Sequence, residues 1–130
     1  MDRLTERLAV AEKALATLVE ALENTALPDI ECRDVCILRF VYTFEATWKA
    51  AQSVLREHHG VVANTPVSIV RACVTAGVLT ETMGEAALGM VKDRNMAANT
   101  YNEDLARRLG ERLPSHAETM RGWLVALKAT

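Results

Sequence analysis

Aromatic residues make up only 5% of this chain, too few to furnish the aromatic and β-branched interior of a sheet protein. Ala, Leu, Glu and Arg dominate instead, and these favour helices. Positive charge is not in excess either: the formal net charge is −2 and the isoelectric point near 5.9. No overall basic field draws in nucleic acid, and binding of duplex DNA is not expected, although Arg107, Arg108, Arg112 and Arg121 could form a local patch late in the chain. No apolar run approaches the ~20 residues of a membrane span. The start lacks the charged and then apolar segments of a secretion signal, so the expectation is a cytoplasmic protein without membrane contact. Cysteine is scarce and odd in number, at three, which suits reduced thiols. Cys32 and Cys36 stand at i,i+4 spacing, but a closed zinc site needs four ligands and no His/Cys pair accompanies them; buried thiols are expected, with no metal and no cofactor. Gly-rich phosphate loops, Walker patterns, paired carboxylates and Ser/His/Asp arrangements are also missing.

What is present is helical periodicity across 130 residues, enough for one domain with its own core. Leu8, Ala11, Leu15, Leu18 and Leu22 recur at steps of three and four along the first helix. Asn24 to Pro28 ends it, with Asp29 as candidate N-cap of the next. The second helix, Ile30 to His58, is apolar over much of its circumference, from Val35, Ile37 and Leu38 to Val54 and Leu55. Such a helix needs neighbours on several sides, within its own bundle or across a dimer. Arg39, Tyr42, Glu45 and Lys49 form one polar stripe on it, either a solvated face carrying a Glu45/Lys49 pair or one wall of a polar groove. Gly60 marks its stop, where His58 and His59 meet the negative end of the helix dipole. Thr65 and Pro66 read as N-cap and N1 of a short helix, Ser68 to Ala76, closed by Gly77. Thr82 and Glu85 fit a capping box for a fourth helix. Asn102 caps a last helix whose seam, Ala106, Leu109, Leu113, Ala117, Met120, Leu124 and Leu127, continues through Pro114, with a kink at Gly110. The reading is an all-α, up-and-down bundle of about five helices, one of them short and lying in a connection.

The stretch from Val91 to Tyr101 concentrates polar groups within this apolar frame. At 100° per residue, Arg94 and Tyr101 fall within about 20° of one face and Asn99 to its side; one groove could hold all three. The face running through Ala87, Met90, Arg94, Ala97 and Tyr101 predicts a buried Arg94. A buried Arg must be paired, and Asp93 diverges from it as an i,i+1 neighbour, leaving Glu45 or a bound anion as partner. His116 cannot be placed from sequence.

Arg33-Asp34-Val35, Arg39-Phe40-Val41-Tyr42-Thr43-Phe44-Glu45-Ala46-Thr47-Trp48-Lys49, Thr65-Pro66, Arg71, Ala76-Gly77, and Asp93-Arg94-Asn95 to Thr100-Tyr101, in that order, resemble one family. It is the nucleotidyltransferase substrate-binding protein family, within the HEPN superfamily of nucleotide- and RNA-associated bundles. The resemblance spans essentially the whole chain. It implies a HEPN-like homodimer working with a separately encoded minimal nucleotidyltransferase, which carries the metal-binding catalytic carboxylates, in a toxin-antitoxin-like module. Related HEPN proteins use an Arg and, after four residues, a His as a metal-independent ribonuclease pair, commonly followed by a Tyr that accepts a nucleotide from the partner. Arg94 and Tyr101 match that pattern; the His position is Asn99. An Asn amide cannot move the proton of a ribose hydroxyl, and general acid-base transfer is worth roughly 10²–10⁴ in rate.

The expected function is therefore a non-catalytic subunit in which Glu45, Trp48, Lys49, Arg94, Asn95, Asn99 and Tyr101 line a groove for nucleotide or RNA. Tyr101 is the candidate modification site. The competing readings are a HEPN-type ribonuclease toxin and a purely structural helical dimer whose polar residues set helix register.

Overall fold

Asp2 accepts the amide of Thr5 at 2.7 Å and so starts α1, Arg3–Glu23, by satisfying one of the free donors of its first turn. The computed structural model describes residues 2–24, 29–99 and 101–130. Leu4, Ala11, Leu15, Leu18 and Ala21 are the buried face of α1, while Leu8 and Leu22 are half-buried at its edges. The next helix, α2, spans Asp29–His59 and runs antiparallel to α1: Arg7 meets Ser53 at one end and Thr17 meets Tyr42 further along. Residues 25–28 of the expected turn lie outside the described residues. Asp29 stands in the first turn of α2.

Helix α2 packs against α1 and against the three α-helices still to come, which explains an apolar surface extending round most of its circumference. Gly60, at φ 66°, ends it in the left-handed region that favours glycine. Thr65 and Ser68 form a reciprocal capping box, and Pro66 opens α3, Pro66–Thr75. Gly77, at φ 80°, then turns the chain. The cap of α4, Glu81–Met96, is Thr80, which accepts the Met83 amide at 3.1 Å. This corrects the expected start at Thr82, which lies inside the first turn. After α4 the chain tightens into a 3-10 turn, Ala97–Asn99, before Asn102 caps α5, Glu103–Ala129, by accepting the amides of Asp104 and Leu105.

All seven expected seam residues of α5 are buried, and the helix continues through Pro114. At Gly110 a Cβ would lie 2.9 Å from Cγ of Arg33, so the missing side chain lets the Arg33 stem lie against α5. The fold is an all-α up-and-down bundle with the short α3 in a connection, as expected. No helix among the described residues is long and apolar enough to cross a membrane. Its centre is Phe40, Phe44, Leu55, Ile69, Met90 and Trp123. Burial pushes the Cys73 and Cys36 thiols up to about 11, so both stay protonated at neutral pH.

Candidate functional site

Two neighbouring residues at the end of α4 leave the helix in different directions, because consecutive side chains stand 100° apart. Asp93 turns toward α5. Its carboxylate receives Arg112 in a two-pronged pair, Nε to Oδ2 at 2.7 Å and Nη2 to Oδ1 at 2.9 Å, and accepts from His116 Nε2 at 2.5 Å. The Asp93 side chain is only 7% exposed. Burial works to raise its pKa, but hydrogen bonds from Arg112 and His116, with their charges, outweigh it and hold the carboxyl below the ordinary value. His116 in turn stacks on Phe40, ring centroids 5.2 Å apart.

Arg94 turns toward α2. Its Nη2 lies 2.7 Å from Glu45 Oε1, an ion pair lacking the alignment of a hydrogen bond. Glu45 Oε2 accepts the Trp48 indole N–H at 3.2 Å, so Glu45 is held between Arg94 and Trp48. The expected Arg94 to Glu45 partnership is present. The expected deep burial is not: the Arg94 side chain is 40% exposed. Its Nε is nonetheless buried without a hydrogen-bond partner, and Nη1 makes only a long contact, 3.4 Å, to Asn95 Oδ1. Half-exposed and short of acceptors, this guanidinium retains donors for an anion.

The remaining expected site residues are less closely gathered. Lys49 is exposed and, among the described residues, makes no ion pair with Glu45 or any other carboxylate. Asn95 and Asn99 are exposed, and Tyr101 is 87% exposed in the turn before α5. The α-helix ends at Met96, so the helical phase that aligned Tyr101 with Arg94 is lost in the 3-10 turn. The polar stripe of α2 divides in the same way. Arg39 donates to the Thr17 carbonyl at 2.7 Å and Tyr42 meets the Thr17 hydroxyl, so both belong to the α1 contact; only Glu45 and Lys49 face the open side.

The late arginine patch does not form as a free basic surface. Arg107 and Arg108 both pair with Asp104, Arg121 with Glu118 and Arg112 with Asp93. The Asp93, Arg112 and His116 network was not anticipated. A signal for half of it was present: His116 lies three residues after Leu113 and four before Met120, on the buried seam of α5, where a His needs a partner.

Residues 6–129 match the family described as nucleotidyltransferase substrate binding protein like. Among solved structures, a protein from Thermus thermophilus is 44% identical, with a TM-score of 0.85 over 91% of this chain and 98% of that one. A toxin-antitoxin MntA-HpeT structure superposes with a TM-score of 0.79 at 16% identity, covering 98% of each chain. A tri-AMPylated Shewanella oneidensis HEPN toxin in complex with its MNT antitoxin superposes with a TM-score of 0.77 at 17% identity over the whole of both chains. At those identities the latter two establish likeness of fold. No curated protein matches the sequence.

Proposed function

The chain belongs to the nucleotidyltransferase substrate-binding family, and from that premise we propose that it is the non-catalytic binding subunit of a separately encoded minimal nucleotidyltransferase, in a toxin-antitoxin-like module. The observation that carries this reading is the half-exposed Arg94 guanidinium, oriented by Glu45, which Trp48 holds in turn, and short of acceptors. A phosphate oxygen of a nucleotide or RNA can pair with the exposed part of that guanidinium. Lys49, Asn95 and Asn99 supply further donors from the open side.

Tyr101 stands outermost and is the acceptor in this proposal. When the partner presents a nucleoside triphosphate, the Tyr101 hydroxyl attacks the α-phosphorus, an O–P bond forms, diphosphate leaves, and the phenolic proton passes to a base of the partner. Near-complete exposure of Tyr101 supports that role, since a buried phenol could not enter a second protein's site. The neighbours containing an MNT antitoxin supply the analogy for the partner. The same reading includes a homodimer, supported by two exposed apolar side chains on α2, Leu38 at 64% and Ile30 at 58%. Light scattering should then give twice the 14.3 kDa chain mass. The compartment is cytoplasmic, in keeping with three free thiols. RNA cleavage is not part of this function: Asn99 cannot exchange a proton, and His116 is engaged with Asp93 inside the bundle.

The test mixes the purified chain with its transferase, ATP and magnesium. A stable complex, with nucleotide on Tyr101 by mass spectrometry and none on Tyr101→Phe, is the expected result. Absence of a complex overturns the reading, and complex without modification removes the acceptor role alone. Metal-independent RNA cleavage by the wild type, abolished by Arg94→Ala, would make the chain an enzyme instead.

A further inference from the structure

Arginines in this bundle are mostly neutralised where they stand: Arg33, Arg94, Arg107, Arg108, Arg112 and Arg121 each meet a carboxylate. Of the five that meet none among the described residues, Arg39 donates to a backbone carbonyl and Arg71 stands elsewhere, while Arg3, Arg7 and Arg56 line one polar cleft between the N-terminal end of α1 and the C-terminal half of α2, together with Gln52, Ser53 and Glu57. Antiparallel pairing brings them together. Arg7 is fixed at the floor, its Nη1 donating to the Lys49 carbonyl at 3.1 Å, Gln52 Oε1 at 3.3 Å and Ser53 Oγ at 2.9 Å. One turn toward the start of α1 is Arg3, and one turn toward the end of α2 is Arg56, so the two flank Arg7 at the next level, about 6 Å along the helix axes.

All three acceptors of Arg7 are neutral and engage a single nitrogen. Its charge is therefore uncompensated, and its Nε and Nη2 have no hydrogen-bond partner among the described residues. Burial, and after it the charge of Arg3, hold the Arg7 guanidinium below its ordinary pKa: Arg3 and Arg7 are close enough to repel. The one carboxylate of the cleft, Glu57, is exposed and forms no ion pair among the described residues. Like charges are thus gathered around an open volume of about 270 Å³, just below the roughly 300–1,000 Å³ of a pocket that encloses a drug-sized molecule. A chain of phosphates fits within it, whereas the ribose and base of a nucleotide would remain outside.

We propose that this cleft is an anion site for a diphosphate or triphosphate group, with Arg7 as its fixed floor and Arg3 and Arg56 as mobile walls. It is separate from the Arg94 groove and does not depend on the transferase reading. Recognition is of the phosphates, so inorganic diphosphate and the phosphate chain of a nucleotide both bind, and adenosine does not.

The experiment titrates the full-length protein by calorimetry with inorganic diphosphate, ATP and adenosine in about 10 mM salt, where the screening length is roughly 30 Å. Saturable, single-site binding of diphosphate and ATP is expected, weakened at least tenfold in the double variant Arg3→Gln/Arg56→Gln, whose exposed side chains leave the fold intact. Glu57→Gln should tighten binding. Arg71→Gln removes a cation outside the cleft and should leave it unchanged. The proposal is overturned if diphosphate fails to saturate, if adenosine binds as well as ATP, if the double variant binds like wild type, or if Arg71→Gln weakens binding as much as loss of the cleft cations does. Preference for ATP over inorganic diphosphate with the same dependence on Arg3 and Arg56 would identify a nucleotide as the source of the phosphates; equal binding would identify inorganic diphosphate as sufficient.

Discussion

Asp93 and Arg94 are adjacent in sequence and opposite in character. On the Asp93 side, one carboxylate is filled by Arg112 and His116 and closed over by Phe40; on the Arg94 side, the guanidinium is held by one loosely aligned carboxylate and keeps an unfilled donor. A network with every member satisfied contributes rigidity, while a partly satisfied one retains capacity to bind. The contrast assigns stability to Asp93 and, under the proposed function, recognition to Arg94, and it can be broken by experiment.

The largest effect on stability should come from Asp93→Ala, which removes the shared partner of Arg112 and the buried His116. Loss of one partner from a buried pair costs ~3–5 kcal/mol. Because the Arg112 side chain is 41% exposed and can turn to water, a loss of about 3 kcal/mol is expected from urea unfolding, at the low end of that range. If it unfolds like wild type, the closed side is not what holds α4 to α5.

Acid unfolding sharpens the same point. Asp93 has a folded pKa held below its ordinary value of 3.8, so its contribution is fully present above that value and is lost as pH falls through the lower, folded pKa. Urea midpoints measured across that acid window should decline steeply in wild type and less steeply in Asp93→Asn.

Arg94→Met should cost far less, about 1 kcal/mol or under, as partly solvated ion pairs do, yet it should weaken nucleotide binding. A loss as large as that of Asp93→Ala would erase the distinction between the two sides. Smallest of all is Tyr101→Phe: urea unfolding should change by less than about 0.5 kcal/mol, as for exposed substitutions generally, while covalent transfer from the partner disappears.

The fold was legible where local chemistry alone decides it. Thr65, Pro66 and Gly77 bracket α3 through cap, fixed φ and positive φ, and the seam of α5 runs through Pro114 because its period is unbroken. The start of α4 was misplaced for an instructive reason. Thr82 has a Glu three residues on and Thr80 has Met83, so the fuller sequence pattern lost to a cap that needs only one side-chain oxygen. Arg94 was misjudged similarly: the helical wheel sets it about 40° from Met90, in the middle of the buried face, but a wheel gives only a direction and not how much of a side chain the facing helix covers. The partners of Asp93 lie 19 and 23 residues away, and no local pattern reaches that far. Arg94 with Glu45 was legible because an ion in an apolar face demands its opposite; the position of Tyr101 was not, because the 3-10 turn resets the phase.

Gly110 gives the Tyr101 turn a short tether. With the Arg33 stem lying against it, the guanidinium reaches Glu103 Oε1 at 2.5 Å and ties the first turn of α5 to α2. Tyr101 is two residues before that anchor, and two extended residues reach at most ~7 Å. The phenol is therefore confined near that anchor, which under the proposed function would raise its effective concentration at a docked partner's site. Under the proposed function, a residue distant from any chemistry thus sets how often Tyr101 is where a second protein would look for it.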